Sequence, residues 1–282
     1  MQTVEPLLGT RAEVHAEAPS SIQAEAAENA VLQEVARLEQ IFTVFDDTSA
    51  LQEFRRTGAT ASAELAQVVE LAGQWHDRSD GAFNPATQAL MELWDRAEAA
   101  NSAPSSQDLA AAVAAPASDR YRLDNLNAIA KGWIAQAGVN AVRDQVDSVW
   151  LSLGGDIVHI GSGSLTVGVE DPHRPYDNVA PMATIEVSAE AVATSGGTRR
   201  WWTIDGRRFA KVLDPRTGSP VDRLASATVI APDAATADVL ATIALVADES
   251  KTLALAADAG ADCLLVYADK TRTCTSERFV FA

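Results

Sequence analysis

Ser148-Val149-Trp150-Leu151-Ser152-Leu153-Gly154-Gly155-Asp156-Ile157-Val158-His159-Ile160 decides the fold class of this chain. β-Branched and aromatic residues flank a Gly–Gly pair, which predicts two antiparallel strands, Ser148–Leu153 and Asp156–Ile160, around a tight turn. A third strand, Ser164–Val169, follows after another glycine-containing turn. Further on, Arg199–Ile204 and Arg207–Leu213 flank Asp205-Gly206, a strong hairpin signal. Ala225–Ala231, Cys263–Ala268 and Arg278–Ala282 read as further strands. Upstream the texture is helical. Ser20–Phe42 carries Val31, Leu32, Val35, Leu38, Ile41 and Phe42 at helical spacing. Ser62–Arg78, Pro85–Ala100, a short piece near Asp108–Val113, and Ala128–Val146 follow as helices, with two more after Pro232 and over Ser250–Ala259. Helices mixed with antiparallel hairpins predict an α+β protein with antiparallel sheets and flanking helices rather than a doubly wound sheet. There is no internal repeat or long low-complexity linker, and 282 residues make one large or two small domains.

The chain has 282 residues, 47% of them hydrophobic, and a net charge of −17. That composition is of an ordinary globular protein, and the charge argues against nucleic acid or an anionic membrane surface as a general partner. An anionic ligand must therefore be met by local cations. Only four of the 22 basic residues are lysines, which draws attention to Lys131 and Lys211 inside motif-like segments. Cys263 and Cys274 have no zinc spacing; they either pair across a C-terminal hairpin or stay as two idle thiols. The four histidines form no ligand pattern. No stretch reaches transmembrane length, and Met1–Thr10 lacks the features of a signal peptide.

Two segments carry most of the chemistry. In Leu213-Asp214-Pro215-Arg216-Thr217-Gly218-Ser219-Pro220, proline fixes φ, Gly218 permits positive φ, and Asp214 and Thr217 can bond nearby N–H groups. Such a turn presents oriented dipoles and the Arg216 guanidinium, which suits a phosphate. In Ala237-Asp238-Val239-Leu240-Ala241-Thr242, a carboxylate and a hydroxyl four residues apart share one helix face. That is a hard oxygen pair of the kind Mg²⁺ prefers when substrate phosphates complete its shell. A structural turn and a solvated helix face account for either segment taken alone. The neighbours of Asp238 are apolar, however, and a buried carboxylate needs a partner or a metal.

Further segments commit backbone or charge to something. Asn127-Ala128-Ile129-Ala130-Lys131-Gly132-Trp133 opens a helix, where free N–H groups and the Lys131 charge favour an anion. Gly154 and Gly155 permit close backbone approach to a ligand, with Asp156 beside them. Ala193-Thr194-Ser195-Gly196-Gly197 reads as a turn with two hydroxyls and free N–H groups. Phe83, in Ser79-Asp80-Gly81-Ala82-Phe83-Asn84-Pro85, either packs in the core or lies under a ligand ring. The chain lacks the G-x-x-x-x-G-K-[ST] loop of nucleotide kinases and GTPases, and no dinucleotide fingerprint follows a strand.

Taken in order, these segments resemble the FAD:protein FMN transferases, the ApbE-like flavin transferases. The resemblance runs through Leu8–Thr10, Ser79–Trp94, Ala128–Trp133, Leu151–Gly161, Val167–Pro172, Ala193–Gly196, Leu213–Pro220 and Ala225–Thr242. It implies a single domain over residues 1–282, of two-lobed architecture, with FAD bound between the lobes and Mg²⁺ on its pyrophosphate, held by Asp238, Thr242 and the carbonyl of Ala128. It implies Lys131, Lys211 and Asp214 as catalytic positions. Phe83, Lys131, Gly154, Gly155, Asp156, Thr194, Ser195, Gly196, Arg216 and Thr217 are the positions implied to contact FAD. The implied reaction moves FMN from FAD to a Thr or Ser hydroxyl of an acceptor flavoprotein and releases AMP. FAD hydrolysis to FMN and AMP, or flavin binding without catalysis, are the alternatives. Family members are often exported or tethered to the cell envelope, although this chain shows neither a signal peptide nor a lipid-anchor cysteine near its start. The chain also departs from the family pattern. Lys211 stands where a His is usual, Arg55 where an Asn is usual, Thr198 and Arg199 follow the Thr-Ser-Gly segment, and Asp124-Asn125 precede the Lys131 helix.

Overall fold

A computed structural model describes residues 1–114, 126–176, 178–197 and 201–281. The elements run β1 (Gln2–Leu7), β2 (Thr10–Glu17), α1 (Ser21–Phe42), α2 (Ala50–Thr57), α3 (Ala63–Arg78), α4 (Gln88–Ala99), α5 (Ser106–Ala114) and α6 (Asn127–Asn140). Then come β3 (Ser148–Leu153), β4 (Asp156–Gly161), β5 (Leu165–Val169), β6 (Ala183–Val187), β7 (Ala191–Gly196), β8 (Trp201–Ile204) and β9 (Arg207–Ala210). The chain finishes with β10 (Leu224–Ala231), α7 (Ala234–Val246), α8 (Glu249–Asp258), β11 (Asp262–Tyr267), β12 (Arg272–Cys274) and β13 (Val280–Phe281).

The main sheet has eight strands in the order β1-β2-β3-β4-β7-β10-β11-β12, and its neighbours pair antiparallel. The α+β expectation therefore holds. One face of this sheet meets α1, α3, α6, α7 and α8 in the principal core, through Val14, Val35, Ile134, Leu151, Val229 and Leu240 among others. The opposite face, at Ile157, Val192, Ile230 and Leu264, packs on the small sheet β13-β6-β5. Covered on both sides, every residue of β10 is buried, the pattern of a strand with no solvent face. A third cluster stands apart from these. In it Leu90 and Trp94 of α4 pack against Trp202 and Ile204 of β8, Leu213, and the half-buried Phe209 of β9. The Trp94 and Trp202 rings stack with centroids 5.5 Å apart.

Several expectations change. Ala193–Gly197 is not a turn: β7 continues to Gly196, because Thr194 and Ser195 face Thr228 and Ala227 across the β7–β10 ladder. The helix expected to reach Val146 ends at Asn140, and β9 ends at Ala210 rather than Leu213. β1, β2, α2, β6 and β12 had no counterpart in the sequence reading. β2 buries Ala12, Val14 and Ala16 in strict alternation, yet two of the three are alanine, a residue depleted in strands. Both cysteines are free thiols. Cys274 pairs in register with Leu264, so it and Cys263 point to opposite faces of the sheet and cannot bridge. Burial pushes the Cys263 thiol up to about 12.

Candidate functional site

The site begins where α6 crosses α7. Gly132 is the contact point: a Cβ there would lie 2.2 Å from the Ala234 carbonyl oxygen and 3.0 Å from Asp238 Cβ. Only glycine permits that approach. It lets the Gly132 N–H donate to Asp238 Oδ2 at 3.1 Å. Gln136 Oε1 accepts the Ala234 N–H at 3.1 Å, and Asp233 caps the start of α7 by accepting the Thr236 N–H. Asp238 is only 5% exposed. Burial drives its carboxyl up to about 7; Asp156 pushes the same way, while Lys131 and the Gly132 N–H oppose it.

The Gly154-Gly155 turn (φ 61° and 96°) sends the chain into β4 with Asp156 as its first residue. That carboxylate pairs with the Lys131 ammonium, and its Oδ1 accepts the Thr194 N–H at 3.2 Å. The hydroxyls of Thr194 and Thr228 are 2.9 Å apart, and those of Ser195 and Thr242 are 3.3 Å apart. The sequence-predicted residues Lys131, Asp156, Thr194, Ser195, Asp238 and Thr242 thus form one linked cluster, with Ala128 one turn before Gly132 on α6. Gly196 closes it, since a side chain there would meet the Ala225 carbonyl oxygen at 2.8 Å.

The Asp214–Gly218 turn makes a separate set of contacts. Asp214 Oδ1 accepts the Arg216 main-chain N–H and Nε–H, and Oδ2 accepts Nη2–H, each at 2.9 Å. Burial raises the Asp214 carboxyl, but the Arg216 bonds outweigh this and hold it below the usual carboxylate range. Thr217 Oγ1 accepts the Ser219 N–H at 3.3 Å. Arg216 also reaches the Val246 carbonyl at the end of α7, at 3.4 Å, and Arg223 donates to the Ala244 and Ala247 carbonyls. On the other side, Trp94 Nε1–H donates to the Gly218 carbonyl at 2.8 Å. The turn is therefore a clasp between α4 and the negative end of α7, with its guanidinium already facing a carboxylate.

Lys211 lies 3.3 Å from Asp95 Oδ1 and over the Trp202 ring. A side chain at Gly197 would touch Ala210, so the end of β7 adjoins the strand leading to Lys211. Phe83 is 3% exposed within the principal core. Arg55 Nη1 is 3.4 Å from Gln52 Oε1. Thr198, Arg199, Asp124 and Asn125 lie outside the described residues. Asp95, Thr228 and Arg223 were missed; each is an isolated polar residue whose partner is remote in sequence, and nothing local marks it.

No group of three His, Cys, Asp or Glu side chains able to hold a metal occurs among the described residues. Helix α7 does supply a buried carboxylate with its pKa raised by desolvation and, with Ser195 of β7, two hydroxyls 3.3 Å apart. That hard oxygen set fits Mg²⁺, which keeps few protein ligands and shares its shell with substrate phosphates.

A sequence profile of the ApbE family matches residues 8–265. An FAD:protein FMN transferase of Klebsiella pneumoniae (strain 342) is 30% identical over 231 residues, covering 74% of this chain and 72% of that protein. One from Treponema pallidum (strain Nichols) is 30% identical over 245 residues, covering 70% and 67%. The crystal structure of the ApbE protein of Thermotoga maritima superposes with a TM-score of 0.82 over 98% of this chain and 97% of that one, at 24% identity. The flavin transferase ApbE of Vibrio cholerae gives 0.77 over 98% and 97%, at 22%. The family match and the 30% identical transferases make this chain an enzyme of the flavin-transferase class, and its helices on an antiparallel sheet agree with that fold. The chain belongs to the ApbE family.

Proposed function

We propose that this single-domain chain transfers FMN from FAD to a Thr or Ser hydroxyl of an acceptor flavoprotein, with Mg²⁺ as cofactor and AMP as the released product. The observation that carries the reading is the buried Asp238 beside Lys131 and one turn from Thr242, a charge arrangement suited to a pyrophosphate. Asp238, Thr242 and the Ala128 carbonyl would hold the metal, which when bound supplies neutralisation of phosphate charge.

Lys131, oriented by Asp156, adds a second cation to the site, where charge spreads over the reacting phosphoryl oxygens. The Ser195 hydroxyl at the end of β7 is a donor to the substrate, while Thr194 orients Asp156 through its main-chain N–H. The acceptor oxygen bonds to the FMN-side phosphorus, the pyrophosphate bond breaks, and AMP leaves with the bridging oxygen and takes up the hydroxyl proton. Lys211, beside Asp95, is a charge contact and not a base. Asp214 acts through the clasp it forms with Arg216.

Incubation with FAD and Mg²⁺, with and without a Thr-bearing acceptor domain, followed by intact mass and AMP analysis, tests this. An acceptor heavier by an FMN phosphoester is the expected result. AMP without an adduct would mean hydrolysis, and bound FAD with neither product would mean a flavin carrier.

A further inference from the structure

The β8–β9 hairpin is used only in part by the reading above. Between residues 199 and 211 the sequence is Arg-Arg-Trp-Trp-Thr-Ile-Asp-Gly-Arg-Arg-Phe-Ala-Lys, five cations against one acid in a chain of net charge −17. The hairpin turns through Asp205 and Gly206, both at positive φ, with Ile204 opposite Arg207 and Thr203 opposite Arg208. Among the described residues it joins no other strand. Its inner face, Trp202, Ile204 and Phe209, is packed on α4. The β8 edge is also fixed there: Glu98 and Asn101 accept the Thr203 and Asp205 N–H groups, each at 2.7 Å. The platform is therefore rigid.

Its other side is open. By the same register, the main-chain groups of Arg208 point out from the far edge of β9. Arg207 and Arg208 are both exposed and flank that edge, Arg208 from the outer face and Arg207 from the face it shares with Phe209. Their guanidinium groups lie over Phe209 and Trp201, at 5.5 and 4.2 Å from the ring centroids, and among the described residues neither meets a carboxylate. Trp201, Thr203, Arg208 and Ala210 share the outer face. Ala210 touches Gly197, so this face continues into the Thr194–Gly196 end of β7. A strongly acidic protein repels an acidic partner over most of its surface, and two exposed guanidinium groups flanking a free strand edge beside the site select where that partner lands.

We propose that the outer face and free edge of this hairpin dock an acidic, extended segment of the acceptor protein and deliver its hydroxyl to the Thr194–Gly196 end of β7. The inference rests on the FMN-transfer reading for the identity of the partner. Extended peptides bind exposed strand edges through main-chain bonds, and stacked, weakly hydrated guanidinium groups are suited to carboxylates.

The probe is a short labelled peptide with one Thr among Asp residues, compared with its Asn-for-Asp counterpart by fluorescence anisotropy on the intact protein. The acidic peptide should bind more tightly, and lose affinity as salt rises. R207S/R208S should weaken it about tenfold, and R207K/R208K should fall between it and wild type, keeping the charge but not the stacked guanidinium; both should keep the wild-type FAD affinity and unfolding midpoint. Equal binding of the two peptides, or no effect of R207S/R208S, overturns the proposal. So does a single-stranded oligonucleotide that displaces the acidic peptide, or a parallel loss of FAD affinity, which would put the hairpin in the nucleotide site. FMN transfer to the same peptide is measured separately. Arginine-dependent binding without any transfer would defeat the proposed reaction and leave the docking surface standing.

Discussion

Gly132→Ala sets two opposing effects against each other. In a helix interior, alanine is favoured over glycine by about 1 kcal/mol. Against that, the new Cβ would sit 2.2 Å from the Ala234 carbonyl oxygen, well inside the 3.4 Å where ordinary contact begins. The obstacle is backbone, so α6 and α7 must part by about 1 Å, and overpacking of this kind costs roughly 1–3 kcal/mol. Parting also stretches the Gly132 N–H bond to buried Asp238, a hydrogen bond to a charged group worth about 1.5–3 kcal/mol. The net expectation is a loss of roughly 2–4 kcal/mol in urea unfolding, with weaker Mg²⁺ and FAD binding. Two other glycines calibrate it. At Gly73 a Cβ meets nothing within 4 Å, so Gly73→Ala should gain about 0.5–1 kcal/mol. At Gly138 it meets Val35 Cγ2 at 2.8 Å, a side-chain tip, so that variant should fall between the two. A Gly132→Ala protein as stable as Gly73→Ala would refute the close-crossing argument.

Further outcomes follow from the same contacts. For Asp238, burial raises the folded pKa to about 7 from 3.8, so the folded state binds the extra proton and stability falls as pH rises between those values. Metal-free Asp238→Asn should therefore gain on wild type across that window, by up to about 4 kcal/mol less roughly 1–3 for an ill-paired amide. Parallel pH curves would sink this, as would equal stabilisation of both proteins by Mg²⁺ at pH 8. Lys131→Met leaves the buried Asp156 without its cation and should cost roughly 1–3 kcal/mol, discounted for the partly exposed lysine, with a large rise in the FAD KM. Arg216→Met opens the clasp on α7. Its Mg²⁺ requirement should rise several-fold with little change in FAD KM, whereas a direct phosphate contact would show the reverse split.

The hairpin around Gly154-Gly155 was legible because its signal is local: β-branched runs and two glycines that both adopt positive φ. Asp238 and Thr242 were legible for the same kind of reason, a four-residue spacing inside an apolar helix. What stayed hidden were relations between distant elements. Lys131 and Asp156 each drew attention, but the ion pair depends on how α6 lies against β4. Gly132 reads as an ordinary helix residue until α7 is laid across it. Thr194-Ser195-Gly196 looks like a turn by composition and becomes a strand because β10 lies alongside. Arg216 reads as a phosphate ligand, and its pairing with Asp214, two positions away, was not part of that reading. Local competition for a charge was the term the motif reading left out.

β10 is buried along its whole length, and α7 follows after only two residues. Amides in these elements should exchange with deuterium only through global unfolding, while the edge strand β1, most of whose residues are exposed, opens far more readily. The carboxylate and hydroxyl on α7 therefore sit in the slowest-opening part of the molecule. A ligand bound there would lose little conformational entropy, because the framework is already ordered before it arrives.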